Sequence, residues 1–135
     1  MNNSQLGIPL RKATLIPDQL FAIKSAAGYR VFALEVDRGT EPIISAHVRK
    51  SYQRSIEQYR HVIERKLHRS HYGLSGHLLV LWVFTSRRRE EAFRELLGEN
   101  GGSLTKQCFV QTLKLTQGGW QPPKNLLEMP SVLFE

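Results

Sequence analysis

Apolar and polar positions alternate in two neighbouring runs, QLFAI and YRVFALEVD, within the stretch from Leu15 to Pro42. Alternation of period two sends successive side chains to opposite faces of a strand. The intervening Ser25-Ala26-Ala27-Gly28 reads as a tight turn, with Gly28 able to take a positive φ, so the two runs close into a hairpin. On the second strand Glu35 and Asp37 share one face, and Leu34 and Val36 share the other. Folding the hairpin brings Asp18, at the entrance of the first strand, beside Glu35. Gly39, Thr40 and Pro42 then break the strand.

From about Ile44 to Arg69 the period changes. Val48, Tyr52, Ile56, Tyr59, Ile63 and Leu67 recur every three or four residues, which predicts one amphipathic helix. Ser55 borders this stripe, about 20° from Val48 on a helical wheel. Gly73 and Gly76 close the helical region. His77 to Thr85, HLLVLWVFT, is continuously apolar, the mark of a strand buried on both faces of a sheet covered by helices. Arg87 to Gly98 predicts a second helix with Ala92, Phe93, Leu96 and Leu97 inward, and Cys108 to Thr116 a further strand nearer an edge. The order strand, strand, helix, strand, helix, strand implies an α/β mixed sheet containing a parallel pair.

A length of 135 residues fits one domain, and a 41% hydrophobic content is enough for an ordinary core. Residues 1–14 read as a flexible or weakly docked lead-in, residues 15–135 as the domain, with a Gly- and Pro-rich C-terminal tail from about residue 117. The formal net charge of +7 favours an anionic partner, DNA before an acidic membrane surface. A single cysteine, Cys108, excludes an intrachain disulfide framework, and no run is long and apolar enough for a signal peptide or a bilayer span, so a cytoplasmic setting is expected.

Candidate chemistry gathers at the hairpin. Asp18, Glu35 and Asp37 would crowd negative charge at the strand ends, and a hard divalent cation is the usual answer to such crowding. Asp37 can serve as a third acid, pair with Arg38 or cap the next turn. Arg54, Arg60, Arg65 and Arg69 on the long helix, with Arg87, Arg88 and Arg89 opening the next, are the candidate DNA-backbone contacts. Cations at a helix N-terminus oppose the macrodipole, so local helix stability does not explain the arginine triplet; phosphate binding at the free amides and simple solubility are the two readings left. His61, His68, His71 and His77 have no regular zinc-ligand spacing and read as surface or phosphate-contacting residues. Cys108 and Trp82 read as core. The sequence carries neither G-x-G-x-x-G nor G-x-x-x-x-G-K-[ST], so a nucleotide cofactor is not supported.

The stretches PDQLFAI, FALEVDRGTEP, YQRSIEQYR and HYGLSGHLLVLWVFTS resemble the plasmid replication-relaxation family, and through it the PD-(D/E)XK nuclease superfamily. The resemblance spans roughly Leu15 to Glu95 and is most specific in EVDRGTEP. It implies a restriction-endonuclease-like mixed sheet flanked by helices. It further implies Asp18 and Glu35 as ligands of Mg²⁺ or Mn²⁺, Asp37 as an assisting catalytic acid, and metal-dependent cleavage of DNA in a plasmid or mobile-element setting. The chain departs from the pattern in two places. Asp37, not lysine, stands two residues after Glu35. A lysine that the family carries four residues before the tyrosine matching Tyr59 is here Ser55. Two alternatives follow. One is a DNA-binding module of the same fold that has lost cleavage. The other is a protein-interaction subunit that pairs two copies through the apolar tail residues Trp120, Leu126, Leu127, Val132 and Phe134.

Overall fold

The computed structural model of the chain describes residues 6–10, 13–39 and 46–113. These form a mixed α/β fold built on a four-stranded mixed sheet in the order β3-β4-β5-β6. Strands β3 (Gln19–Ser25) and β4 (Gly28–Asp37) make the expected hairpin, with Ser25 opposite Gly28 and Gln19 opposite Leu34. Gly28 has φ 117°, a left-handed conformation that its missing Cβ permits.

β4 runs parallel to β5 (Leu78–Phe84), which runs parallel to β6 (Cys108–Thr112). Parallel neighbours need long crossovers. The first carries α1 (Ala46–Glu64) and α2 (Leu67–Tyr72), and the second carries α3 (Arg87–Asn100) and a 3₁₀ turn (Gly102–Gln107). Right-handed crossovers that step the same way across a sheet put their helices on the same face. Accordingly Ile56, Tyr59, Val62 and Ile63 of α1 and Phe93, Leu96 and Leu97 of α3 pack in one core with Ala33, Val80, Trp82 and Phe84 of the sheet. A second apolar layer, on the opposite face, joins Phe32, Leu79, Leu81 and Val83. All residues of β5 are buried, as its uninterrupted apolar run implies, and β6 is the edge strand beside it.

Two expectations change. The long helix does not run unbroken to Arg69. It stops at Glu64, and Lys66 adopts a left-handed φ of 55° before α2 begins. The Lys66 N–H bonds the Ile63 carbonyl, tightening the last turn and redirecting the chain. Leu67 therefore leaves the α1 stripe, although it still packs against the core. Part of the stretch read as a lead-in is also fixed. β1 (Ile8–Pro9) pairs with β2 (Thr14–Leu15), Ile8 is buried, and the Tyr72 hydroxyl donates to the Leu6 carbonyl.

A side chain other than glycine in the left-handed region costs about 1–2 kcal/mol. Lys66→Gly should thus raise stability by roughly 0.5–1 kcal/mol once the extra freedom of glycine in the unfolded chain is subtracted. An unchanged or lower urea midpoint would show that Lys66 contributes contacts worth more than its backbone strain.

The break at Thr40 and Pro42, the helix start at Ile44, the strand end at Thr116, and the tail with its expected pairing of two copies lie outside the described residues. Among the described residues no helix is long and apolar enough to cross a membrane.

Candidate active site

The C-terminal ends of parallel strands are where an open α/β sheet leaves a crevice, and Glu35 and Asp37 stand at that end of β4. Their period-two spacing turns both toward α1, and Trp82 and Phe84 of β5 are their register partners. Two tyrosines of α1 meet them. The Tyr59 hydroxyl donates to Glu35 Oε1 at 2.5 Å, and the Tyr52 hydroxyl donates to Asp37 Oδ2. Tyr59 is fully buried and set edge-on against Trp82, with ring centroids 5.4 Å apart. Burial, with the Glu35 charge beside it, holds the Tyr59 phenol far above its ordinary range, so it remains a proton donor. Tyr52 is pushed up to about 12, by burial first and then by its bond to Asp37.

Asp18 reaches Glu35 from the other side. Its N–H bonds the Leu34 carbonyl at 3.0 Å, extending the β3–β4 ladder by one residue, and its Oδ2 accepts the Val36 N–H at 2.7 Å. The hairpin therefore brings the two carboxyl groups together, as its register requires. Glu35 is raised from 4.5 to about 7, chiefly by burial, with the Asp18 charge and a hydrogen bond to Asp18 adding to the rise and the Tyr59 hydroxyl opposing it. Two neighbouring carboxyl groups repel when both are charged, and a proton or a cation between them relieves that repulsion. Oxygen donors of this kind suit Mg²⁺, which is held by one or two carboxylates and keeps several waters. Among the described residues no group of three or more His, Cys, Asp or Glu side chains could hold a metal ion. A metal held by this pair would have to take its remaining ligands from water.

Asp37 is occupied differently. Oδ1 accepts the Gly39 N–H at 2.7 Å, capping the turn that leaves β4, and Arg89 Nη1 lies 3.4 Å from Oδ1 and 3.5 Å from Oδ2. Gly39 is needed here, because a Cβ on it would stand 2.6 Å from Thr85 Oγ1. Of the roles open to Asp37, turn capping is realised. Its observed cationic partner is Arg89, from a different helix.

These groups border a cleft of about 380 Å³ lined by Glu35, Asp37, Tyr52, Ser55, Trp82 and Arg89, among others. Ser55 lines the same cleft as Glu35, and its Oγ accepts the Trp82 indole N–H at 3.4 Å. Asp18 is exposed and reaches Glu35 from outside that lining.

The seven arginines do not form one class. Arg54, Arg65, Arg87 and Arg88 are exposed, and Arg69 is half-buried. Arg60 bonds Glu64 at 2.8 Å and the Asn100 carbonyl at 3.0 Å, tying α1 to the end of α3. Arg89 is buried in the cleft and is not a surface contact. His68, expected at the surface, is buried with Nε2 3.1 Å from the Gly76 carbonyl. Cys108 is half-buried on the edge strand and packs against the core, and burial pushes its thiol up to about 11.

Sequence reasoning read Tyr52 and Tyr59 only as members of an apolar stripe and Arg89 only as part of a basic run. One signal was available. Two tyrosines two helical turns apart, about 10.5 Å, face two acids about 6.6 Å apart on a strand, so each carboxylate can find a hydroxyl. The Arg89 contact had no comparable local signal.

Searches of curated proteins and of solved structures found no match. The family model described as replication-relaxation matches residues 2–78, more than half of the chain, a span that includes the hairpin, Asp18, Glu35, Asp37 and both tyrosines. On that match the chain belongs to the replication-relaxation family.

Proposed function

We propose that this protein processes DNA in a plasmid or mobile-element setting, as a metal-dependent endonuclease with a restriction-endonuclease-like core of the PD-(D/E)XK type. The observation that carries the reading is that Asp18, anchored on the Val36 N–H, stands next to Glu35, which lines a cleft at the strand ends. A divalent cation bound there, Mg²⁺ or Mn²⁺, would supply Lewis-acid polarisation of a phosphodiester. The chain's own residues do the rest. The Val36 N–H fixes the Asp18 carboxylate and the Tyr59 hydroxyl fixes Glu35, so both acids are oriented before any ligand arrives. Trp82, Phe84 and Phe93 wall the cleft with apolar surface, which strengthens every charge interaction inside it. A DNA substrate implies a cytoplasmic setting. The domain would begin near residue 15, with residues 1–14 as a lead-in docked in part through β1.

The second reading, a DNA-binding module without cleavage, is favoured by one observation. Ser55, which cannot supply a cation, lines the cleft where the family pattern has lysine. Circular and linear DNA incubated with Mg²⁺ or Mn²⁺, beside an Asp18→Ala control, separates the two. Cleavage that disappears in the control supports the nuclease. Binding without cleavage supports the module.

Both readings expect phosphate-dominated binding through Arg54, Arg65, Arg69, Arg87 and Arg88. With about five phosphates neutralised, log K should fall against log[salt] with a slope of roughly −4 to −5. Affinity that ignores salt, or no binding at low salt, would remove DNA as the partner.

A further inference from the structure

Arg89 is an arginine whose charge is only partly used. Its side chain is 8% exposed, and taking a guanidinium out of water is costly without close partners. The partners it has are long. Nη1 lies 3.4 and 3.5 Å from the two Asp37 oxygens and 3.4 Å from the Tyr52 hydroxyl, against about 2.7–2.9 Å for a tight charge-assisted bond. All three contacts fall on the same nitrogen. Among the described residues Nε and Nη2 carry no further hydrogen bond. Asp37, in contrast, is well served by the neutral donors Tyr52 and Gly39. The guanidinium is thus held at its Nη1 corner by Asp37 and Tyr52, in a cleft that also contains Glu35.

The cleft is therefore bipolar. Acid lies at the Asp18–Glu35 end, and a fixed cation lies beside Asp37, two strand residues further on. A planar fork anchored at one corner suits bidentate contact with a phosphate, which an ammonium cannot make in the same way. From this arrangement we infer that Arg89 binds a phosphodiester of the substrate within the cleft, with Asp37 and Tyr52 acting as positioning residues that hold the guanidinium. Asp37 then serves the cation end of the site and not the metal end. The inference rests on the cleft being the DNA-processing site proposed above, but it makes no use of the metal.

The test uses the full chain in EDTA. Arg89→Gln should bind a short single-stranded oligonucleotide about tenfold more weakly, and the salt slope should become shallower by about one. The rise in melting temperature produced by Mn²⁺ should survive, because the Asp18–Glu35 pair is untouched. Unchanged affinity and slope in a folded Arg89→Gln protein would overturn the inference. So would joint loss of DNA affinity and Mn²⁺ response, which would mean that Arg89 merely supports the site's structure. A wild type that ignores Mn²⁺ yet shows Arg89-dependent binding would sink the metal reading and leave this one standing. If Arg89→Gln does not fold, dimethyl phosphate titrated into the wild type decides. A saturable shift of the Arg89 Nε–H resonance, assigned by its absence in Arg89→Lys, supports the inference, and no shift overturns it.

Discussion

At pH 8 the Glu35→Gln protein should be more stable than the wild type, and the difference should vanish near pH 4. The Glu35 carboxyl is raised from 4.5 to about 7, first by burial and then by the neighbouring Asp18 charge. Between those values the folded protein keeps a proton that the unfolded chain releases. The Glu35 contribution to stability is therefore greatest below about 4.5, falls as pH rises, and levels off above about 7. The gap corresponds to about 3 to 4 kcal/mol, at about 1.4 kcal/mol for each pH decade. Glutamine carries no charge, still accepts from Tyr59 and still donates toward Asp18, so it should remove this slope without disturbing the packing. Urea melts of both proteins at pH 4, 6 and 8 check it. Parallel curves would mean that Glu35 ionises in the fold as easily as in the unfolded chain, and the electrostatic account of the site would fail.

Asp18→Asn and Glu35→Gln should each abolish the Mn²⁺-induced rise in melting temperature and reduce cleavage at least about a hundredfold, a loss of about 2.7 kcal/mol in transition-state stabilisation. Neither change should unfold the protein. Asparagine at position 18 keeps an oxygen for the Val36 N–H, the bond that anchors Asp18 to the strand. A purely structural role makes a different forecast, in which Asp18→Asn is silent in every assay and Asp18→Ala loses about 1 kcal/mol with its hydrogen bond. A metal-induced stabilisation that persists in both Asp18→Asn and Glu35→Gln would rule out these two carboxylates as the site.

The hairpin, the acid pair and the buried central strand were legible in the sequence because their information is local or periodic. Alternation places Glu35 and Asp37 on one face whatever surrounds them, and a two-residue turn fixes the register that carries Asp18 to Glu35. An apolar run without a polar position, such as Leu78 to Phe84, has only the interior to occupy. The same logic marked Ser55 as a residue at the border of the buried stripe.

The tertiary structure decided which groups answer those acids, since the spacing of the two tyrosines shows only that such a match is possible. Tyr59 lies 24 residues from Glu35 in the chain, Tyr52 lies 15 from Asp37, and Arg89 lies 52 from Asp37. No local period links such separations. They close only when two crossovers of the same hand stack α1 and α3 over the same strand ends. The helix break at Lys66 was equally hidden, since no glycine or proline marks it. A lysine forced into a left-handed turn is a cost that sequence propensity argues against, and only packing of the residues beyond it can make the chain accept that cost.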